Sequence, residues 1–600
     1  MRRVYFIGPL VAALAVGGYA AAFARYGVFD FADEGVLLAQ ALRVAQGQVP
    51  YVDFQTGYGP LYFRLEALLH DAGGMAAIRA ALVLVHAASG ALVYALTRRV
   101  AGSALAAAAV CLQIAFLLPI APAKGAPFNV PYPSWYTGVA ALGTALLVRA
   151  GRGGPRPLGA FAAGLLAGMA FAMKPNSGLL LAAGAAVAIV LGGPPHGRAG
   201  VVGWAVLVLA VVAPTLLVAP TGLTVAAVVL VPPMVGCATL GGSRGASDRH
   251  VVPRLLLLAV GFFFVAMLWY APPLAVLGRE RFLREAMQVG AGMAGVYGSP
   301  LPPIAALAAL IGLFAYVAAG RRAVRWSAAA AAAVVALAVA MGAAGEASAG
   351  TALRRGAEDG AFALLPVVLW GAIGALHADG PVELVAPTAL AAAGALQLYP
   401  RADFLHLLSV GPLLLPIGLW LWRRAAEMVA AAPRAGLLAV GVPLALAAVR
   451  FVPAAGVLGE VATGRVEHVA FGGEDELVIA PDGAPALRSL GAAVAAVRER
   501  TSPDETVITF PACAIVPALA ERLPAGSYDY FFPGLLDRGE AAVQALQLAS
   551  AAPHLAVTCS AGGTDLARAW DSYPEFAGFI AARYKPLLVL PPFVVHERQD

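Results

Sequence analysis

Several polar stretches that interrupt long apolar runs contain residues capable of acid–base chemistry. The richest of them, residues 30–60, follows the first apolar run and includes Asp33 and Glu34. An ionised carboxylate within hydrogen-bond reach of a hydroxyl can remove its proton, so Asp33 and Glu34 are candidate general bases. The alternative is structural, with Asp33 as the N-cap of a helix and Glu34 favourable to its dipole. One carboxylate could also serve both purposes.

The composition requires a membrane. Of the 600 residues, 60% are hydrophobic and only 12% are charged, and the mean hydropathy is +0.79. A bilayer accommodates so much apolar surface, whereas a soluble chain could not cover it. The net charge of +6 comes from arginines that lie singly or in pairs between apolar runs. That distribution is typical of cytoplasmic loops and not of a nucleic-acid interface.

Apolar runs of about 20 residues predict a polytopic α-helical membrane protein. The first run is longer than the apolar core of a signal peptide, roughly 7 to 15 residues, so we expect a retained anchor. The run at 222–238 is the weakest and could be re-entrant. The sequence predicts about 13 to 15 spans, with candidates at 5–24, 76–97, 100–120, 134–150, 158–173, 177–193, 201–219, 222–238, 255–276, 301–319, 327–345, 361–377, 384–399, 406–422 and 434–452.

The arginines predict the orientation of these spans, because cytoplasmic loops are rich in basic residues. If 222–238 spans the membrane, most arginine-rich loops fall on one side, although the arginines at 279–284 and 354–355 do not. The extracytoplasmic side then holds residues 25–75 and everything after about 453. It also holds 121–133, 174–176 and 399–403. The arginines assigned to the cytoplasm are Arg98, Arg99, Arg149, Arg152, Arg156, Arg198, Arg244, Arg249, Arg254, Arg321, Arg322, Arg325, Arg423 and Arg424.

The last quarter of the chain, residues 453–600, differs from the membrane domain at 1–452. Its charge is higher, and alternating helical and β-branched segments predict a soluble extracytoplasmic α/β domain. Cys513 and Cys559 each follow a predicted strand. If those strands are parallel neighbours, the two thiols could form a disulfide or remain free. The predicted helices are 487–500, 515–522, 541–551 and 574–584, and the predicted strands are 505–510, 554–558 and a terminal pair within 586–595.

The acidic stretch lies in the first extracytoplasmic loop, between two predicted amphipathic helices. The first covers residues 34–46, with Arg43 away from its apolar face and Gly47 placed to end it. The second begins at Pro60 and ends at a glycine pair, 73–74. We expect both helices to lie in the membrane interface. The linker between them could line a substrate cleft or fold the loop onto the membrane domain, and its candidate residues are Tyr51, Asp53, Gln55 and Tyr58.

Three short motifs resemble those of GT-C-type glycosyltransferases, especially bacterial relatives of the dolichyl-phosphate-mannose–protein mannosyltransferases and the lipid A aminoarabinose transferases. In that group an acidic residue of the first loop is the catalytic base. The resemblance implies an inverting transferase that uses a polyprenyl-phosphate-linked sugar, in the bacterial inner membrane, for cell-envelope glycan or glycolipid assembly. The motifs are Ala32-Asp33-Glu34-Gly35 with Gly47 to Tyr51, Asp53 and Gly57 to Leu61; Lys174-Pro175-Asn176; and Gln397 to Asp403 with His406.

A lipid-phosphate leaving group would need cationic partners. Lys174 is the first candidate, Arg401 the second and Lys124 the third, and His406 could bond the phosphate or the acceptor. The structural alternatives are snorkelling of the basic side chains and a hydrogen-bonded histidine at a helix end. Three further motif residues would join the linker residues in the substrate cleft, namely Asn176, Tyr399 and Asp403.

The loop at 121–136 has no carboxylate, although some relatives carry a second acid there that helps to bind a metal or the acceptor. We therefore expect no metal and no other cofactor. Two other functions remain open from the sequence. A transporter or flippase of lipid-linked sugars would explain the spans and the interfacial cations, but it explains the acidic loop and the α/β tail less well. A catalytically inactive protein that binds a lipid-linked sugar would have the same sequence features.

Overall fold

The computed structural model describes residues 4–117, 125–148, 156–192, 251–287, 362, 364–376, 381–398, 404–430, 432–471, 476–560 and 564–599. Four proposed site residues lie outside these ranges: Lys124, Tyr399, Arg401 and Asp403. The spans proposed at 201–219, 222–238, 301–319 and 327–345 also lie outside them.

Up to residue 462 the regular elements of the described chain are helices. Proline occupies the first or second position of several of them, where its missing N–H leaves no helical hydrogen bond unmade. Three of the helices are long and apolar enough to cross a membrane, and seven shorter ones are also apolar. The helices are α1 Val4–Ala22, α2 Phe31–Ala45, α3 Pro60–Ala101, α4 Ser103–Phe116, α5 Pro133–Leu147, α6 Pro157–Met173, α7 Pro175–Gly192, α8 Val251–Phe282, α9 Leu364–Leu376, α10 Val385–Gly394, α11 Phe404–Val429 and α12 Ala432–Ala462.

These bounds follow the predicted spans closely wherever the chain is described. The glycine pair at 73–74 ends the first helical stretch of α3, as predicted: both glycines have non-helical backbone angles at a kink between two helices, and the φ of 60° at Gly74 favours glycine. The span predicted at 100–120 is interrupted, because α3 ends at Ala101 and α4 begins at Ser103. The number of spans stays a prediction.

Small residues explain how the apolar helices pack. A Cβ atom on Gly164 of α6 would lie 2.2 Å from the carbonyl oxygen of Leu258 in α8. A Cβ atom on Gly261 of α8 would lie 2.4 Å from the carbonyl oxygen of Phe161. The two backbones therefore touch, which is how small residues let helices associate in lipid.

The carboxyl-terminal part contains two sheets. Helix α12 runs through the predicted boundary at 452, so the change to sheet-containing structure comes after Ala462. One sheet is the antiparallel hairpin β1–β2, and the other has the order β3-β4-β6-β5 with β3 and β4 parallel. The elements are β1 Glu467–Ala470, β2 Glu476–Ile479, α13 Ala484–Arg500, β3 Ile508–Phe510, α14 Ile515–Leu519, α15 Arg538–Ala551, β4 Leu555–Cys559, α16 Thr564–Ser572, α17 Pro574–Arg583, β5 Tyr584–Leu590 and β6 Phe593–Arg598.

The predicted α/β tail is therefore present, with every predicted helix and strand close to its observed position. The sequence missed the β1–β2 hairpin and helix α16. Strand β3 precedes Cys513, and strand β4 ends at Cys559. The two strands are parallel neighbours, which is the condition set for a meeting of the thiols, and both thiols are buried and free. Burial and the neighbouring Cys559 thiol raise the pKa of Cys513 well above its usual range.

Helix α2 has no exposed polar face, and its predicted position in the membrane interface stays a prediction. The helix is buried on all sides from Glu34 to Val44, because the tail covers the face that does not contact the membrane helices. A Cβ atom on Gly35 would lie 2.4 Å from the backbone nitrogen of Ile515 in α14. The rings of Phe31 and Phe593 pack edge to face at 5.4 Å.

Arg43, predicted on the exposed face of α2, is 2% exposed and pairs with the fully buried Asp529 at 2.8 Å. Its guanidinium also donates to the carbonyl oxygens of Pro524 and Gly526. The polar face of α2 is thus a binding surface for the tail. A second junction is made by β2, where the Gly27 N–H donates to the Val478 carbonyl at 2.7 Å.

Removing Arg43 should destabilise the protein strongly. Arg43→Ala leaves Asp529 buried without its counter-charge, and we expect the free energy of unfolding to fall by about 3–5 kcal/mol. The matched control is Arg488→Ala, whose partner Glu467 is 39% exposed, and it should cost less than about 1 kcal/mol. Denaturant unfolding of the purified protein in mild detergent compares the two. Equal losses would contradict the role of the buried pair.

Candidate functional site

The first turn of α2 is held by Asp30, not by Asp33. The Asp30 carboxylate accepts hydrogen bonds from the N–H groups of Ala32 and Asp33, at 2.8 and 3.1 Å. The N-cap role proposed for Asp33 is therefore wrong, because the cap lies three residues earlier. The Asp33 side chain therefore does not cap the helix, although its charge lies in the first turn.

Glu34 is an ion-pair partner and not a second candidate base. It is 1% exposed, and its carboxylate contacts the Arg79 guanidinium at 2.6 Å. Arg79 also donates to the carbonyl oxygens of Ala24 and Gly27. Burial raises the pKa of Glu34, and the Arg79 charge opposes that rise. This burial and the ion pair favour a structural role for Glu34.

Asp33 is half-buried and has a tyrosine partner. The Tyr132 hydroxyl donates to Asp33 Oδ2 at 2.5 Å. Burial, followed by the Asp33 charge, raises the pKa of Tyr132 well above its usual range. The phenol therefore stays protonated and acts as a donor to the carboxylate. Tyr530 of the tail also lies close enough for the Asp33 charge to raise its pKa, after burial and Asp529.

Lys174 lies near the same segment. It follows the last residue of α6, is 8% exposed, and donates from Nζ to Ser134 Oγ at 2.8 Å. Ser134 is two residues after Tyr132, so one short segment bonds both the Asp33 carboxylate and the Lys174 ammonium. The motif around Lys174 also meets the third motif, because the Ser177 hydroxyl donates to Gln397 Oε1 at 2.8 Å.

The linker residues mainly fold the loop. The Tyr51 hydroxyl donates to the Tyr58 carbonyl, and its buried ring packs against Tyr270. The Asp53 carboxylate accepts from the Val49 N–H at 2.7 Å. These contacts match the alternative that the sequence left open, in which the linker anchors the loop to the membrane helices.

Gln55 lies at a junction of three segments. Its side-chain amide donates to Glu285 at 2.8 Å, its backbone N–H donates to the Ser527 carbonyl, and its carbonyl accepts from Gln40. Tyr58 packs edge to face against Tyr62, and it lies close enough to Tyr132 to contribute to the raised pKa of that residue.

Asn176 and His406 are the remaining proposed site residues with described positions. Asn176 is exposed, and its side chain accepts from the Ser177 N–H. His406 is half-buried in the first turn of α11. In the segment that follows Tyr132, Trp135 is buried and donates to the Val130 carbonyl. The neighbouring Tyr136 donates to Glu66 at 2.7 Å.

Sequence reasoning missed Arg79, Tyr132 and Ser134. Arg79 carried a signal, because a charge inside the span predicted at 76–97 is costly unless it is paired. Tyr132 and Ser134 carried none, since a tyrosine and a serine in an uncharged loop match no catalytic spacing. Among the described residues no cluster of His, Cys, Asp and Glu could hold a metal ion, and the prediction that none is needed stays a prediction.

Gly59 joins the two halves of this site. Its N–H donates to the Met173 carbonyl at 2.8 Å, and a Cβ atom here would lie 2.1 Å from the Ala172 carbonyl oxygen. Gly59→Ala should therefore separate the loop from the Lys174 turn and lower the melting temperature. Gly18→Ala is the control, because its Cβ would meet no atom within 4 Å, and it should leave the melting temperature unchanged. A tolerated Gly59→Ala variant would contradict the close contact.

No family model and no curated protein sequence matches the chain. Two solved structures are similar to it. The crystal structure of ArnT from Cupriavidus metallidurans bound to undecaprenyl phosphate is 15% identical, with a TM-score of 0.42, over 99% of this chain and 98% of that one. The archaeal oligosaccharyltransferase AglB from Archaeoglobus fulgidus, in complex with an inhibitory peptide and a dolichol-phosphate, is 14% identical, with a TM-score of 0.45, over 100% and 74%. Both are GT-C enzymes, the class that the sequence resembles, and at this identity and TM-score they assign no role to any residue.

Proposed function

We propose that the chain is an inverting glycosyltransferase, which moves a hexose or pentose from a polyprenyl-phosphate donor to an acceptor hydroxyl on the extracytoplasmic side of the membrane. The observation that carries this proposal is the pair of hydrogen bonds that Tyr132 donates to Asp33 and that Lys174 donates to Ser134. Tyr132 and Ser134 are two residues apart, so their Cα atoms are separated by at most about 7 Å. One short segment therefore holds both a carboxylate and an ammonium.

In the proposed reaction Asp33 accepts the proton of the acceptor hydroxyl while that oxygen bonds to the anomeric carbon. The bond from the anomeric carbon to the phosphate oxygen breaks on the opposite side, so the configuration inverts. Asp33 suits this role because it is half-buried, whereas its neighbours Ala32 and Glu34 are buried. Its position on a helix fixed at both ends limits its motion, which favours productive orientation.

Lys174 is proposed to stabilise the phosphate that leaves with the lipid. Its ammonium is mostly withdrawn from water, and a charge in such an environment acts more strongly on a developing anion than it would in bulk solvent. Arg401, Lys124 and His406 remain proposed as further phosphate or acceptor contacts. The expected setting is cell-envelope glycan or glycolipid assembly, and the proposal uses no metal.

Replacing the proposed base tests the assignment. Asp33→Asn should reduce sugar transfer about 10²–10⁴-fold, because a carboxamide cannot accept the proton. The control is Asp53→Asn in the same loop, which should retain transfer within a few-fold. The assay follows labelled sugar from a polyprenyl-phosphate donor to acceptor with purified protein. Full activity of Asp33→Asn would remove Asp33 as the base, and lipid-linked sugar crossing vesicles without any transfer would indicate a transporter instead.

The tyrosine partner of Asp33 should set the pH dependence. A hydrogen bond donated to a carboxylate favours its charged form, so Tyr132→Phe should move the acid limb of the rate–pH profile to higher pH and lower the rate at neutral pH. Tyr136→Phe is the matched control, since that hydroxyl donates to Glu66 and not to Asp33. Identical profiles for the two variants would show that Tyr132 does not act through Asp33.

A further inference from the structure

A cavity of about 560 Å³ lies at the far end of α3, where it turns into α4. The turn between α11 and α12 forms its other wall, and the lining includes Gly102, Ser103, Arg423, Glu427 and Ala435. The two turns are joined directly, because Arg423 Nη1 donates to the Ala101 carbonyl at 3.0 Å. The cavity is therefore a built junction of four helix ends.

The cavity is remote from the candidate active site. Arg79 bonds the loop that carries Asp33, and α3 continues from there for 22 residues to Ala101. At 1.5 Å per residue this segment is about 33 Å long, which matches the roughly 30 Å thickness of a bilayer core. The cavity thus lies at the opposite membrane surface, where lipid headgroups are found.

Arg423 and Glu427 line the cavity, and Arg424, the residue after Arg423, lies beside the lining. Arg423 Nε donates to Glu427 at 2.8 Å, and Arg424 Nη1 donates to the other oxygen of the same carboxylate at 3.1 Å. Two guanidinium groups share one carboxylate, which leaves one positive charge uncompensated within this trio. Both arginines remain about half exposed, at 45% and 55%. The last turn of α3 adds Arg98 and Arg99 to the same end of the bundle.

The rest of the lining combines polar and apolar groups. Helix α4 begins here without a side-chain cap, so the N–H groups of its first turn point towards the cavity end of the helix. The wall formed by α12 is apolar, with Ala435, Ala439 and Val440. Guanidinium groups over an apolar wall suit a ligand that has both a phosphate and hydrocarbon.

We propose that this cavity binds the phosphate of an anionic glycerophospholipid headgroup. Arg423 bonds the phosphate, Arg424 beside the lining adds positive charge, and the apolar wall contacts the upper part of an acyl chain. Basic pockets between helices at a membrane surface bind anionic lipids in this manner. A soluble phosphate compound would share the arginine contacts but would gain nothing from the apolar wall, which is why a lipid is favoured. The proposal does not depend on the transferase activity.

Native mass spectrometry of the purified full-length protein in detergent tests the proposal. We expect phosphatidylglycerol to bind at least 10-fold more tightly than phosphatidylcholine, and inorganic phosphate at matched concentration not to displace it. Arg423→Gln should weaken phosphatidylglycerol binding at least 10-fold. The matched control is Arg434→Gln, an exposed arginine on α12 outside the cavity lining, which should leave binding unchanged.

A second variant separates binding from folding, because Arg423 also bonds the Ala101 carbonyl. Glu427→Gln removes the carboxylate that competes with phosphate and should tighten phosphatidylglycerol binding several-fold. Equal binding of the two lipids, or unchanged binding in both Arg423→Gln and Glu427→Gln, would overturn the proposal. Displacement by inorganic phosphate would overturn the lipid assignment and indicate a site for a soluble phosphate compound.

Discussion

A charge that is buried must be paired, and this constraint fixes helix α2 near both of its ends. Glu34 in the first turn pairs with Arg79 of the membrane helix α3, and Arg43 in the last turn pairs with Asp529 of the tail. Breaking either pair would leave an uncompensated charge in a low-dielectric interior, which costs several kcal/mol. Ion pairs therefore attach the helix to the membrane helices at one end and to the tail at the other.

This double attachment determines what Asp33 can do. Asp30 accepts the hydrogen bonds of the first N–H groups of the helix, and Glu34 forms an ion pair with Arg79. Asp33 lies between them in the sequence, and only part of its surface is covered. Three acidic residues within five positions thus have three different roles. These roles differ because the Asp30 side chain faces the helix end, the Glu34 side chain faces α3, and the Asp33 side chain faces Tyr132.

Much of the fold could be predicted from the sequence, because its signals are local. Proline at helix starts and apolar runs located the helices, and β-branched segments located the strands of the tail. The burial of α2 could not be predicted, since the partner that neutralises Arg43 lies 486 residues away. Asp30 and Asp33 both fit the composition of an N-cap, and only the backbone path decides between them. The link from Asp33 to Lys174 escaped prediction for a similar reason, as it passes through Tyr132 and Ser134, which have no distinctive spacing.

The separation between Arg43 and Asp529 also has a consequence for biogenesis. Chains are synthesised at about 5–20 residues per second, so the 486 residues between these partners take roughly 25 to 100 s to make. Throughout that interval helix α2 lacks the domain that covers it. Nascent molecules must keep this segment from aggregating or being cleaved, and a ribosome that stops before codon 529 leaves helix α2 without the partner of Arg43.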